Sequence, residues 1–220
     1  MRQGYFVTGT DTGVGKTLVS QVLLHRLRQE HARVAGFKPV ASGCEMTSQG
    51  LRNRDALALQ QASSVALDYA TVNPYAFAPP VAPHLAAAAA GITIDCARIE
   101  AGIDAVTADR IVVEGVGGWL VPLNGQEAVA DLAIRLGLPV VLVVGLRLGC
   151  LNHALLSLES MRRRAVPIAG WVANAIDPAF ALPDENLGAL EARLDIPLLL
   201  QLPWFDQAPD PADLASRFVR

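Results

Sequence analysis

Aromatic side chains make up only 5% of this 220-residue sequence, so its interior cannot be built around large rings. Hydrophobic residues still reach 52%, and the core must rest on Ala, Val, Leu and Ile, which suits helices packed on a buried sheet. Cysteine is scarce as well. Cys44, Cys96 and Cys150 are an odd number at scattered spacings with no CxxC pair, which argues against a disulfide framework or a zinc site and fits a reducing cytoplasm. Positive charge is not in excess: the net charge of −3 gives no general attraction for nucleic acid or an anionic membrane, so any anionic ligand must be held by local groups. Long hydrophobic runs are missing too. Leu136 to Val144 contains Pro139 and is too short to cross a bilayer, so it reads as a buried strand with its approach. The N-terminus enters a strand almost at once, without the basic segment and apolar run of a signal peptide. No internal repeat or low-complexity linker appears, and a chain of this length buries roughly 70–75% of its unfolded surface, so one domain over residues 1–220 is expected.

What is present begins with Tyr5 to Thr17, YFVTGTDTGVGKT, where an apolar strand runs into a Gly-rich turn ending in Gly15, Lys16 and Thr17. Exposed N–H groups at a helix N-terminus attract phosphate oxygens, glycines let the ligand approach the backbone, and a lysine adds a mobile charge. Thr17 can offer its hydroxyl to magnesium. The common pattern has Gly five residues before the GK pair, where Thr10 stands here; Gly9 makes the loop one residue longer.

The rest alternates strand and helix. Leu18, Val19, Val22, Leu23 and Leu27 recur at helical spacing, Val34 to Phe37 is a short strand delivering Lys38 at its C-terminal end, and Pro39 to Arg54 reads as a functional loop. Asp55 opens a helix, so it is either a cap or a ligand. Four prolines, Pro74, Pro79, Pro80 and Pro83, punctuate an irregular crossing before helices at Leu85 to Ala90 and Asp95 to Thr107. Arg110 to Glu114 is a strand ending on an acid, followed by a Gly-rich turn, much as in the second motif of nucleotidases. Helices from about Glu127 to Leu136, Leu151 to Arg164 and Asp184 to Leu194 alternate with strands Val140 to Val144, Ile168 to Ala173 and Leu198 to Leu202. The expected fold is α/β, a doubly wound, mostly parallel sheet in a P-loop three-layer sandwich, with Thr8, Lys38, Glu114, Gly145, Asn174 and Pro203 beyond strand C-termini. His84 and His153 lack a second histidine at ligand spacing and read as packing or local hydrogen-bonding residues. Trp119, Trp171 and Trp204 suit core or rim, with Trp204 also placed where a base could stack.

Taken together, GTDTGVGKT, Phe37 to Gly43, Gly50 to Asp55, Glu114 to Trp119 and Gly149 to Ala154 resemble the dethiobiotin synthetase family, over almost the whole length. Asn73-Pro74-Tyr75, Ala169 to Asn174 and Leu202-Pro203-Trp204 are similar to it as well. The resemblance implies an ATP- and magnesium-dependent ligase of biotin synthesis that carboxylates 7,8-diaminopelargonic acid with CO2, phosphorylates the carbamate and closes the cyclic urea. It further implies that Gly13, Val14, Gly15, Lys16, Thr17 and Leu18 wrap the phosphates, that Lys16 and Lys38 are catalytic, and that Thr17, Asp55 and Glu114 hold magnesium. Gly115, Val116, Gly117, Asn174, Ala175, Pro203, Trp204 and Phe205 would border the nucleotide, and Thr12, Ser42, Gly117 and Gly118 the diamine or carbamate. Cys150, Leu151 and Asn152 of a second subunit would receive the substrate carboxylate, which implies a homodimer. The chain departs from the family pattern at Gly13, where an acid is frequent, at Arg147, where lysine is usual, and at Ala175, where an acid can follow the asparagine. The rival is a regulatory ATPase switch of the partitioning or cell-division-positioning type, whose early dimer-bridging lysine is replaced here by Asp11.

Overall fold

In the computed structural model, which describes residues 2–218, the apolar run after Gln3 becomes β1 (Gly4–Gly9), near the middle of a six-stranded sheet. It leads through the Gly-rich turn to α1 (Lys16–Arg28) and then to β2 (Val34–Phe37). The segment expected to be a loop carries three short strands, β3 (Val40–Ser42), β4 (Glu45–Thr47) and β5 (Gly50–Arg52), before α2 (Arg54–Ala62). Next come α3 (Tyr69–Val72), β6 (Tyr75–Phe77), α4 (Pro83–Ala89) and α5 (Cys96–Asp104). The remainder is β7 (Arg110–Gly118), α6 (Val129–Leu136), β8 (Val140–Leu146), α7 (Cys150–Arg163), β9 (Ile168–Ala175), α8 (Pro183–Leu194), β10 (Leu198–Leu202) and α9 (Pro211–Leu214).

The large sheet runs β10-β9-β8-β1-β7-β2, with every neighbouring pair parallel. From β1 the chain crosses to β2, returns to β7, then passes to the other side of β1 and builds outward. The direction of winding thus reverses beside β1, the place where open α/β sheets open a crevice at their strand C-termini.

Because both faces are covered, the strands read as continuous apolar runs rather than alternating ones. Alternation survives in which face each residue serves. Phe6, Val113, Leu142 and Val144 pack with α4 to α8, whereas Val7, Val112, Val141 and Val143 pack with α1, α2 and α9. Both layers are made of Val, Leu, Ile and Ala with few rings, as the composition required.

Several boundaries differ from expectation. β7 continues for four residues past Glu114, so the acid lies within the strand and not at its tip; Thr8, Gly145 and Asn174 also fall inside β1, β8 and β9. Only Lys38 and Pro203 lie just beyond their strands. The supposed loop after Lys38 instead pairs β3 with β6 in parallel and folds β4 on β5 as a hairpin. Strands of three residues leave too few side chains for a period to register. The cap of α2 is Asn53, whose side-chain oxygen accepts from Ala56 N at 3.2 Å, not Asp55, which is left free to face Lys38.

Leu142 lies fully buried on β8, at the heart of the layer facing α4 to α8. Leu142→Ala is expected to cost about 2–5 kcal/mol in urea unfolding, as deletion of a buried leucine leaves a cavity that cannot collapse; a loss well under 1 kcal/mol would contradict this packing.

Candidate active site

The turn between β1 and α1 is pinned at both ends. Thr10 N donates to Val143 O at 2.9 Å, and Asn174 Nδ2 reaches from β9 to Val14 O at 2.9 Å. Val14 is buried beneath the turn. Gly15 sits at φ 91°, and a Cβ there would come within 2.2 Å of Asn174 Nδ2, so backbone conformation and space both demand glycine. Among the described residues, the amides of Gly13 through Leu18 make no hydrogen bond to any other part of the protein. They form an array of free donors at a helix N-terminus, the arrangement that receives phosphate oxygens.

The charged side chains meet beside this array. The parallel register pairs Phe37 with Val113, so the next residues, Lys38 and Glu114, become cross-strand neighbours. Lys38 Nζ donates to Glu114 Oε1 at 2.6 Å and Gly115 O at 2.8 Å, and lies 3.8 Å from Asp55 Oδ2. Thr17 Oγ1 donates to the same Glu114 Oε1 at 3.0 Å. Lys16 is buried and turned onto the turn itself, with Nζ 2.8 Å from Asp11 O. Burial, reinforced by the charge of Lys38, lowers the Lys16 pKa to about 8, against a smaller opposing pull from Glu114, Asp55 and Asp11.

The second oxygen of Glu114 is buried without a partner among the described residues. Beside the Thr17 hydroxyl and within reach of the half-exposed Asp55, it supplies the hard oxygen donors that magnesium prefers. Among the described residues, no three His, Cys, Asp or Glu side chains form a metal cage. An ion held here would be completed by phosphate and water oxygens, and the donor set fits that role.

A network that the sequence did not reveal holds the lysine. Asn73 Nδ2 donates to Lys38 O at 2.6 Å, Tyr69 Oη donates to Asn73 Oδ1 at 2.9 Å, and Asn53 N donates to Tyr69 Oη at 2.7 Å. The start of α2, with Asp55, is thereby tied to the end of β2. A buried asparagine in the Asn-Pro-Tyr stretch is the one signal that pointed to it.

These groups open onto a cleft of about 660 Å³. Thr12, Gly13, Gly15, Lys16 and Thr17 form one wall, and Lys38, Ser42, Asn53, Asp55 and Glu114 the floor. The Ser42 hydroxyl is buried with no partner among the described residues and is available to a ligand. The third wall is apolar, made by Ala41, Pro80, Val81, Ala82, Pro83, Val116 and Val121, and of these residues the family resemblance implies a ligand contact for Val116 alone. Gly117 lines the cleft, whereas Gly118 is taken up in pairing with Gly9, and Gly115 contributes only its carbonyl, to Lys38.

A second cleft of about 380 Å³ lies on the far side of the turn and shares Gly13 with the first. It brings together Leu18, Asn174, Ala175, Trp204 and Phe205, with Gln21, Ile176, Ala208 and Pro209 as members the sequence did not suggest. Pro203 flanks it without lining it. Trp204 is half exposed, its Nε1 donating to Asp206 Oδ1 at 3.1 Å. Cys150, Leu151 and Asn152 are not brought to either cleft; they begin α7, with Cys150 buried and Asn152 exposed. Trp119 and Trp171 are core residues.

A family profile described as an AAA domain matches residues 3–212. An ATP-dependent dethiobiotin synthetase of Pseudomonas aeruginosa is 53% identical over 215 residues, covering 96% of this chain and 94% of that protein. Relatives of the same name in Xanthomonas euvesicatoria and Escherichia coli K12 are 52% and 47% identical, over 91% and 96% of this chain and 90% and 95% of theirs. The chain belongs to the dethiobiotin synthetase family. Among solved structures, a ParA-family ATPase from Chlorobium tepidum aligns with TM-score 0.56 at 18% identity over 93% of this chain and 85% of its own. MinD of Pyrococcus horikoshii complexed with Mg-ADP aligns with TM-score 0.53 at 17% identity over 92% and 82%. At such identities these two share the P-loop sandwich with the synthetase family and nothing finer, and the switch reading is not favoured. Of this family member's departures, Gly13 lines both clefts with nothing within 4 Å of where its Cβ would stand, and Arg147 pairs with Asp11.

The lowered pKa of Lys16 has a direct consequence. Between pH 8 and 10.5 the unfolded chain holds a proton that the folded chain has shed, so the cost of burying this cation is full below pH 8 and fades as pH rises. A polyphosphate docking against it restores the charge. At pH 8, binding of a nucleoside triphosphate should therefore draw about half a proton per site from the buffer, read calorimetrically in buffers of different ionisation enthalpy. Lys16→Arg, permanently cationic, should draw none; equal uptake by both proteins would refute this account.

Proposed function

We propose that the larger cleft carries the closure of a cyclic urea on 7,8-diaminopelargonic acid at the expense of ATP, with CO2 as the carbon source. The observation that supports this most directly is the convergence of Lys16, Lys38, Thr17 and Glu114 between a phosphate-binding turn and an apolar wall.

One amine takes up CO2 to form a carbamate. Its oxygen attacks the terminal phosphorus of ATP, releasing ADP, and the second amine attacks the carbonyl of the resulting mixed anhydride, closing the ring and releasing phosphate. The free amides of Gly13 through Leu18 hold the phosphates, and Lys16 leaves Asp11 O to follow the charge that develops on the transferring group. Lys38, fixed by Glu114, Gly115 O and Asn73, presents its ammonium where the carbamate oxygen would lie. Ser42 and Thr12 offer hydroxyls to the carbamate or amines. Val81, Val121 and their neighbours cover the methylene chain and keep water from the anhydride. Magnesium, when held by Thr17, Glu114 and Asp55, would neutralise phosphate charge. No covalent nucleophile is required, since positioning and charge suffice for phosphoryl transfer. The smaller cleft suits the base, with Trp204 and Phe205 as apolar surface and Asn174 as the polar group.

The diamine's carboxylate lies beyond this cleft. We assign it to the first turn of α7 in a second copy, Gly149 to His153, where, among the described residues, the amides of Leu151 and Asn152 have no backbone partner and the helix N-terminus favours an anion. The exposed Leu148 and Leu156 suit a surface covered by that copy.

Purified protein given the diamine, bicarbonate and MgATP should yield dethiobiotin, detected by mass, and Lys16→Ala or Lys38→Ala should slow turnover by about a hundredfold or more. ATP turnover indifferent to the diamine would overturn the proposal. For the intersubunit site, Asn152→Ala is expected to raise the KM for the diamine more than that for ATP; an unchanged diamine KM would remove that part alone.

A further inference from the structure

The phosphate-binding turn is held at its ends by Thr10 and Val14, but its crest, Asp11 to Gly13, has a single external tether. Arg147, one residue past β8, pairs its guanidinium with Asp11 Oδ2. Asp11 uses its remaining groups inside the turn. Its Oδ1 accepts from Thr12 N at 2.7 Å and its carbonyl accepts from Lys16 Nζ at 2.8 Å. Asp11 thus touches both Thr12, through its carboxylate, and Lys16, through its backbone carbonyl, so the placement of this one residue bears on both. Among the described residues, no other side chain outside the turn bonds to residues 11 to 13.

The pair is a poor stabiliser of the fold. Its side chains are 42% and 44% exposed, and an ion pair so hydrated adds little to global stability. It is also an odd choice for electrostatics alone, since an acid on the rim of an anion-binding turn repels the ligand. Both facts make sense if the pair acts on the turn's shape. β8 is the parallel neighbour of β1, with Gly9 beside Val143, so Arg147 is carried by the strand against which the turn is built.

We infer that Arg147 is a positioning residue, whose pairing with Asp11 holds the crest of the turn in the arrangement that directs Lys16 and Thr12 into the cleft. The inference rests on the reading of that cleft as a nucleotide site. Arg147 touches no reacting atom; it acts through Asp11.

The test turns on the sign of one effect. Asp11→Asn keeps an oxygen for Thr12 N but loses the negative charge opposite Arg147. If charge near the phosphates were all that mattered, removing an anion would tighten binding of MgATP. A positional tether predicts weaker binding. Calorimetric titration with MgATP should give a Kd raised about fivefold for both Asp11→Asn and Arg147→Ala, while Arg147→Lys, which keeps an ion pair, stays within about twofold of the parent. Thermal midpoints should not move, because the pair is hydrated. Tighter or unchanged binding by Asp11→Asn, or unchanged binding by Arg147→Ala, overturns the inference. A parent protein that binds no MgATP would overturn the nucleotide reading itself and this inference with it, so the two failures are distinguishable.

Discussion

The buried pair of Lys38 and Glu114 is the constraint on which the site depends. Two charges withdrawn from water are tolerated only when their remaining valences are met, and removing one partner of such a pair costs about 3–5 kcal/mol. Here Lys38 is met by Glu114, the Gly115 carbonyl and Asp55, while Glu114 is met on one oxygen by Lys38 and Thr17 and on the other by nothing. That open oxygen leaves a place in the first layer around the phosphate turn for an outside charge.

The surroundings follow from holding this pair still. Asn73, Tyr69 and Asn53 link the Lys38 backbone to the start of α2, so Asp55 faces the lysine. Asn174 and Val14 hold the turn from the opposite side, and Gly13 lines both clefts. The larger cleft thereby gains one wall of donors and one of hydrocarbon, the combination needed to seat an anion next to an alkyl chain. Lys16, cationic only at an energetic cost, is poised to gain most from a polyphosphate.

Long elements were legible in the sequence because a helix or a buried strand repeats its pattern several times. β2 and β10 begin and end where the residues said they would, and α1, α5, α7 and α8 lie within a few residues. β3 to β6 were not legible, since three residues carry no period. The apolar rim Pro80 to Pro83 read only as an irregular crossing, because nothing local says which cavity a proline-rich segment will face. The Asp55 cap reading failed for a related reason: Asn53, two residues earlier, had the better side chain for the position, and local sequence ranked neither.

The sequence by itself determined the phosphate-binding turn, the helix behind it and the buried parallel strands, since these are set by short-range sterics, glycine spacing and apolar runs. It also placed Lys38 at the end of a strand. Only the tertiary structure decided that Lys38 would meet Glu114, that Asn174 would lock Val14 and that Arg147 would tether Asp11. Those contacts join residues 76, 160 and 136 positions apart. They depend on the strand order and on the register between parallel neighbours, which only packing of the whole sheet can fix.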